Sequence, residues 1–155
     1  MEVRIESRQP LTVACLRQYG PYETCHKTWE KLFIWAGKRG LVQPETITVG
    51  LSFDDPETTP PEKIRYEACI SVADDFEPDG DIKVRQIEGG EYAVYTHIGS
   101  YSKIKESFRR LNKEWIGQSG HRLRSAPCLE IYIDDPEETP PELLRTYLCV
   151  PLQPD

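Results

Sequence analysis

Asp54-Asp55-Pro56-Glu57-Thr58-Thr59-Pro60-Pro61-Glu62 recurs later in the chain as Asp134-Asp135-Pro136-Glu137-Glu138-Thr139-Pro140-Pro141-Glu142. The match extends in both directions. Downstream, Ile64-Arg65-Tyr66-Glu67-Ala68-Cys69-Ile70 answers to Leu144-Arg145-Thr146-Tyr147-Leu148-Cys149-Val150. Upstream, Val49-Gly50-Leu51-Ser52-Phe53 answers to Leu129-Glu130-Ile131-Tyr132-Ile133. Further upstream, Gly20-Pro21-Tyr22 matches Gly99-Ser100-Tyr101, with the spacing shortened by one residue. Chance does not produce so many matches in one order, so the chain is an internal duplication with repeats at about 1–76 and 82–153.

Each repeat reads in the same order. An opening apolar strand, Thr12 to Gln18 or Tyr92 to His97, runs into a Gly-Pro or Gly-Ser turn. Pro21 suits the first turn of a helix and Ser100 an N-cap. The helix after the turn carries an apolar stripe at spacings of three and four: Tyr22, Cys25, Trp29, Leu32, Phe33 and Ala36 in one repeat, Tyr101, Ile104, Phe108, Leu111 and Trp115 in the other. The first helix ends before Gly40. Two strands joined by the Asp-Asp-Pro loop complete the unit. Val3 to Ser7 and Ile82 to Gln86 read as extensions of the opening strands, interrupted at Pro10 and at Gly89-Gly90, and the acidic stretch Asp74 to Asp81 reads as the connector. The expected fold is α+β: duplicated β-α-β-β units related by a pseudo-twofold, a mainly antiparallel sheet, and two long helices on one side of it. One helix and three strands bury too little surface to be stable alone at this size, so residues 1–155 are expected to form a single domain with a ligand cleft between its halves.

Composition limits the function. The net charge is −7 and no basic stripe interrupts the acidic surface, which argues against direct nucleic-acid binding and favours the approach of cations. No run reaches the roughly 18 apolar residues of a membrane span, and the N-terminus lacks a signal-peptide core, so the expected location is the cytoplasm, without membrane contact. The cysteines Cys15, Cys25, Cys69, Cys128 and Cys149 form no C-x-x-C pair and are odd in number, and the three histidines are scattered. Neither a metal site nor a disulfide framework is expected. No phosphate loop, nucleophile elbow or Cys/His constellation is present, so no catalytic residue and no cofactor are assigned.

The differences between the repeats point to a site. Gly50 matches Glu130 and Ser52 matches Tyr132, and the two-residue period of a strand puts Cys128, Glu130 and Tyr132 on one face. A carboxylate in the middle of Pro127-Cys128-Leu129-Glu130-Ile131-Tyr132 is unexpected in a strand and costly to bury unpaired. Glycine at the equivalent position reads as open volume. Glu130 is then a ligand-binding acid, a solvent-facing residue, or the partner of Arg65 or Arg145. Trp29, Trp35, Tyr66 and Tyr132 are either pocket lining or core. The Asp-Asp-Pro loops lack the order of a calcium loop and read as solvated turns.

The turn Gly20-Pro21-Tyr22, the Asp-Asp-Pro-x-x-Thr-Pro-Pro-Glu loop, Ile64 to Ile70, Gly90-Glu91-Tyr92-Ala93-Val94 and Pro127 to Tyr132 together resemble the GyrI-like small-molecule-binding family over nearly the whole chain. That family includes the DNA gyrase inhibitory protein and the effector-binding domains of AraC-type and MerR-type multidrug-responsive regulators. The resemblance implies a receptor for cationic or aromatic small molecules, in drug or toxin sensing or sequestration, and the departure from the regulators, no DNA-binding module being read in this sequence, points to a stand-alone one. The ligand-meeting glutamate falls on Glu130, accompanied by Tyr132, Tyr66, Trp29 and Trp35, and the open volume read at Gly50 joins them as a ligand-binding position. It also implies two alternatives: a hydrolase of cyclopropane-bearing toxins in which that glutamate activates water, and a protein that inhibits DNA gyrase by direct contact. Binding without chemistry is the favoured reading.

Overall fold

The computed structural model describes residues 1–154 and accounts at once for the repeated loop. Asp54 accepts hydrogen bonds from the Arg65 backbone N–H at 2.7 Å and from the Arg65 guanidinium at 3.0 and 2.8 Å. Asp134 does the same with Arg145 at 2.9, 3.0 and 2.8 Å. Asp55 and Asp135 each accept the N–H two residues ahead at 2.9 Å, the geometry of an Asx turn. The acids and prolines are conformational parts of a loop, as read from the sequence. That loop joins β3 (Thr48–Ser52) to β4 (Arg65–Ser71), and β7 (Cys128–Tyr132) to β8 (Arg145–Pro151).

Besides short 3-10 turns, the remaining elements are β1 (Val3–Arg8), β2 (Leu11–Tyr19), α1 (Cys25–Lys38), β5 (Lys83–Ile87), β6 (Gly90–Ile98), α2 (Ile104–Arg109), a π-helical turn (Arg110–Trp115) and α3 (Ile116–Ser119). Among the described residues no helix is long and apolar enough to cross a membrane. The chain divides into two compact units, Pro10–Glu88, and Met1–Gln9 together with the chain from Gly89. Each is a four-stranded sheet with every pairing antiparallel, in the order β5-β2-β4-β3 and β1-β6-β8-β7. The α+β class and the β-α-β-β order agree with the sequence reading.

The outer strands depart from it. Val3–Arg8 does not extend β2; it pairs with β6, setting Ile5 opposite Ala93. Lys83–Ile87 does not extend β6; it pairs with β2, setting Val84 opposite Ala14. A two-residue hairpin between β1 and β2 would need positive φ in the turn, which Gln9-Pro10 cannot supply. The sequence repeats and the compact units are therefore different divisions of the chain.

In the Pro10–Glu88 unit, α1 lays Leu32 and Ala36 on Ala14, Ala68, Ile70 and Tyr66, all essentially sealed from solvent. In the other unit Ile104 and Leu111 pack on Ala93, Leu148 and Val150. The same latch fixes both helix starts. Gln18 Nε2 donates to the Pro21 carbonyl at 3.1 Å, while its Oε1 accepts the Thr28 hydroxyl at 2.7 Å. At the equivalent place His97 Nε2 lies 3.1 Å from the Ser100 carbonyl and Nδ1 lies 2.8 Å from Ser107 Oγ. A carbonyl only accepts, so Nε2 carries a proton and donates to Ser100. This His–Ser pair is a strut, matched by a glutamine and a threonine.

Candidate functional site

Burial alternates along β7. Leu129 and Ile131 are buried on one face, while Cys128, Glu130 and Tyr132 lie half-buried on the face that meets the helix. Two of the sequence alternatives for Glu130 lapse, because Arg65 and Arg145 are taken by Asp54 and Asp134. Glu130 Oε2 instead accepts the Tyr132 hydroxyl, and among the described residues it has no guanidinium or ammonium partner. Burial pushes its carboxyl up to about 7, against the lowering effect of the Tyr132 hydrogen bond. The Tyr101 ring stands edge-on to Tyr132, with centroids 5.3 Å apart. The Tyr101 hydroxyl is raised by its own burial and then by the charges of Asp134, Asp135 and Glu130. Burial also raises the neighbouring Cys128 thiol to about 11, opposed by a hydrogen bond with Asn112 of the π turn. The result is a carboxylate on the border of ionisation at neutral pH, with two phenol rings beside it.

The other predicted residues lie in the Pro10–Glu88 unit. The structure brings three of them together: the Trp29 indole donates to the Tyr66 hydroxyl at 3.0 Å, and Tyr66 lies over Gly50. A Cβ at position 50 would sit 2.2 Å from the Tyr66 hydroxyl oxygen, so the glycine does not leave open volume as the sequence suggested. It makes room for a buried tyrosine. Trp35 stands apart. Its indole donates to Asp79 at 2.9 Å, Arg39 covers its ring at 4.7 Å, and Phe76 meets it edge-on, which ties the connector to the end of α1.

Sequence reasoning missed Thr146, which lies opposite Tyr132 in the register of β7 and β8. Its hydroxyl is buried and makes no hydrogen bond within the described residues. The signal was available, since Thr146 holds the place of Tyr66 in the second repeat. The tyrosine that fills the space over Gly50 has no counterpart on β8 facing Glu130. Nor did the linear order hint at a cluster on β2 and β4, where Cys15 faces Cys69 across the ladder and Glu67 lies with them, their ligand-type atoms within 4.8 Å of one another. Arg17 and Arg85 engage both Glu67 oxygens, at 2.6 and 2.8 Å, and two guanidiniums oppose any cation there. All five cysteines are free thiols.

Residues 1–153 match the GyrI-like small molecule binding domain. The chain is 31% identical to the probable transcriptional regulator YgiV of Escherichia coli K12, covering 98% of this chain and 96% of that protein. It is 31% identical to a DNA gyrase inhibitor of Salmonella typhimurium, covering 87% of this chain and 88% of that one. Among solved structures, the C-terminal domain of EcmrR superposes with a TM-score of 0.80 at 17% identity, over 98% of this chain and 97% of that one. SAV2435 bound to tetraphenylphosphonium does so with a TM-score of 0.65 at 16% identity, over 99% and 94%.

Proposed function

This chain belongs to the GyrI-like small-molecule-binding family, and within it we propose a receptor for cationic, aromatic organic molecules whose negative pole is Glu130. The observation that carries the reading is a half-buried carboxylate with no cationic side chain beside it and with Tyr132 and Tyr101 at hand. A carboxylate held in this way is unfavourable by itself, and a cation of complementary shape compensates it. The phenol faces add cation–π attraction of about 0.5–2 kcal/mol. The long-range field of a chain with net charge −7 draws the same class of ligand. A fold neighbour bound to tetraphenylphosphonium offers a suitable probe.

The test is calorimetric titration with tetraphenylphosphonium at pH 8, where Glu130 is ionised. Wild type should bind saturably, and Glu130→Gln should bind at least tenfold more weakly while still unfolding cooperatively and no less stably than wild type, given roughly 1.5–3 kcal/mol for a charged contact. Equal affinities for the two proteins would end the reading.

A carboxylate that titrates near 7 also suits a general base, which keeps the hydrolase alternative in view. The receptor reading requires that a bound cation, and equally a cyclopropane-bearing alkylator, be recovered unchanged after long incubation. Ring-opened product made by wild type and absent with Glu130→Gln, detected by mass spectrometry, would replace the receptor with an enzyme.

A further inference from the structure

β5 pairs with β2 only from Leu11 to Cys15, so the edge of β2 beyond Cys15 has no β5 partner. There the Pro10–Glu88 unit opens into a cleft of about 550 Å³, within the usual range for small-molecule sites. Its charged lining is unlike the rest of this acidic chain: Arg17, Lys31, Lys83 and Arg85 stand against Glu67 and Asp81. Glu67 is 4% exposed. Arg17 Nε donates to its Oε2 at 2.8 Å and Arg85 NH2 to the same oxygen at 3.1 Å. Oε1 is an ion-pair partner of Arg85 Nε at 2.8 Å but receives no aligned hydrogen bond. Arg17 and Arg85 also lie over the Phe53 ring, at 4.9 and 5.1 Å from its centre. Buried carboxylate and aromatic ring together hold two guanidiniums in a fixed orientation. Lys31 and Lys83 are exposed and have no acidic partner among the described residues.

We infer that this cleft is a second binding site, for a small organic anion bearing a carboxylate or phosphate group, separate from the Glu130 site. One buried acid leaves a net positive charge on two oriented guanidiniums, and two free ammonium groups beside them complete an anion's coordination. The duplication by itself does not supply the arrangement, because Thr96, Tyr147 and Glu6 hold the places of Arg17, Glu67 and Arg85 in the other repeat. The size of the cleft and the overall negative charge favour a small anion over a nucleic acid.

The experiment is an NMR titration of the full chain with inorganic phosphate and, separately, with citrate at constant ionic strength, reading the Arg17 and Arg85 Nε–H signals. Saturable shifts with either anion are expected, and the anion that binds more tightly names the group recognised. The exposed pair Lys31→Gln/Lys83→Gln should keep the melting temperature and weaken binding roughly tenfold, as expected on losing charge-assisted contacts. Glu130→Gln should leave anion binding unchanged, so failure of the cation site and failure of this one are told apart. Absence of saturation with both anions, or saturation that the double lysine variant leaves intact, would overturn the proposal.

Discussion

Glu130 carries a pH dependence whose sign follows from its burial. Its carboxyl moves from an ordinary 4.5 to about 7 on folding, so between those values the folded chain holds a proton that the unfolded chain has released. The stability it contributes is fully present below about 4.5 and is lost as pH rises to about 7, by up to a few kcal/mol. Urea unfolding at pH 5 and pH 8 should show this slope in wild type and a flatter one in Glu130→Gln, with the variant the more stable protein at pH 8. Binding of a cation reverses the preference, so affinity should rise with pH up to about 7. Gly50 makes the second residue-scale prediction. Alanine there meets the Tyr66 hydroxyl oxygen at 2.2 Å and Cζ at 2.9 Å, and Tyr66, only 1% exposed, has little room to retreat. Gly50→Ala should cost about 1–3 kcal/mol in thermal or urea unfolding, as overpacking does. Tyr66→Phe in the same chain should recover part of that loss by removing the closest atom.

At the scale of elements, the two helices differ by one residue. Gly20 and Gly99 are equivalent before the helices, as are the left-handed Gly40 and Gly120 after them, and the interval between equivalents grows by one in passing from the first pair to the second. Thr28 and Ser107 still keep the shorter interval, as the matched latches show. The extra residue therefore lies between Ser107 and Gly120, where the helix widens into the π turn of Arg110–Trp115. That turn carries Asn112, the hydrogen-bond partner of Cys128 beside Glu130, so the insertion and the acid belong to the same unit and the same neighbourhood. Deleting the exposed Lys113 should restore an ordinary α-helix and lower the melting temperature less than deleting the exposed Glu30 of α1. Removing Glu30 rotates the remainder of α1 by about 100°, which takes Leu32 and Ala36 away from the sheet. Circular dichroism melts of the two deletions decide the matter, and equal losses would count against the insertion.

For the whole molecule the exchange of outer strands governs autonomy. A chain stopped at Glu77 keeps β1 but loses β6, on which it pairs, and keeps β2 but loses β5. Its sheet is left with the outer edge of β2 unpaired, and its first strand has no ladder to join. We expect such a chain to lack a cooperative thermal transition, and a chain of residues 10–88, which retains β5, to hold more native β structure. A cooperative melt of the 1–77 chain would contradict the role given to the outer strands.

The repeat, the α+β class, the helix stripes apart from the exposed Phe33, and the strand face of Glu130 were legible in the sequence, because they are carried by local periodicity and by comparison of the chain with itself. The Asp-Asp-Pro loop was legible as a turn for the same reason, its acids bonding within a dozen residues of themselves. Three things were decided only by tertiary structure. β1 and β5 each find a partner strand far along the chain, β6 for one and β2 for the other, and alternating apolar residues are equally consistent with other pairings. Gly50 proved to be filled space, since the tyrosine over it comes from the neighbouring strand. The basic cleft joins Arg17, Glu67 and Arg85 from three separate strands, and nothing in the linear order brings those charges together.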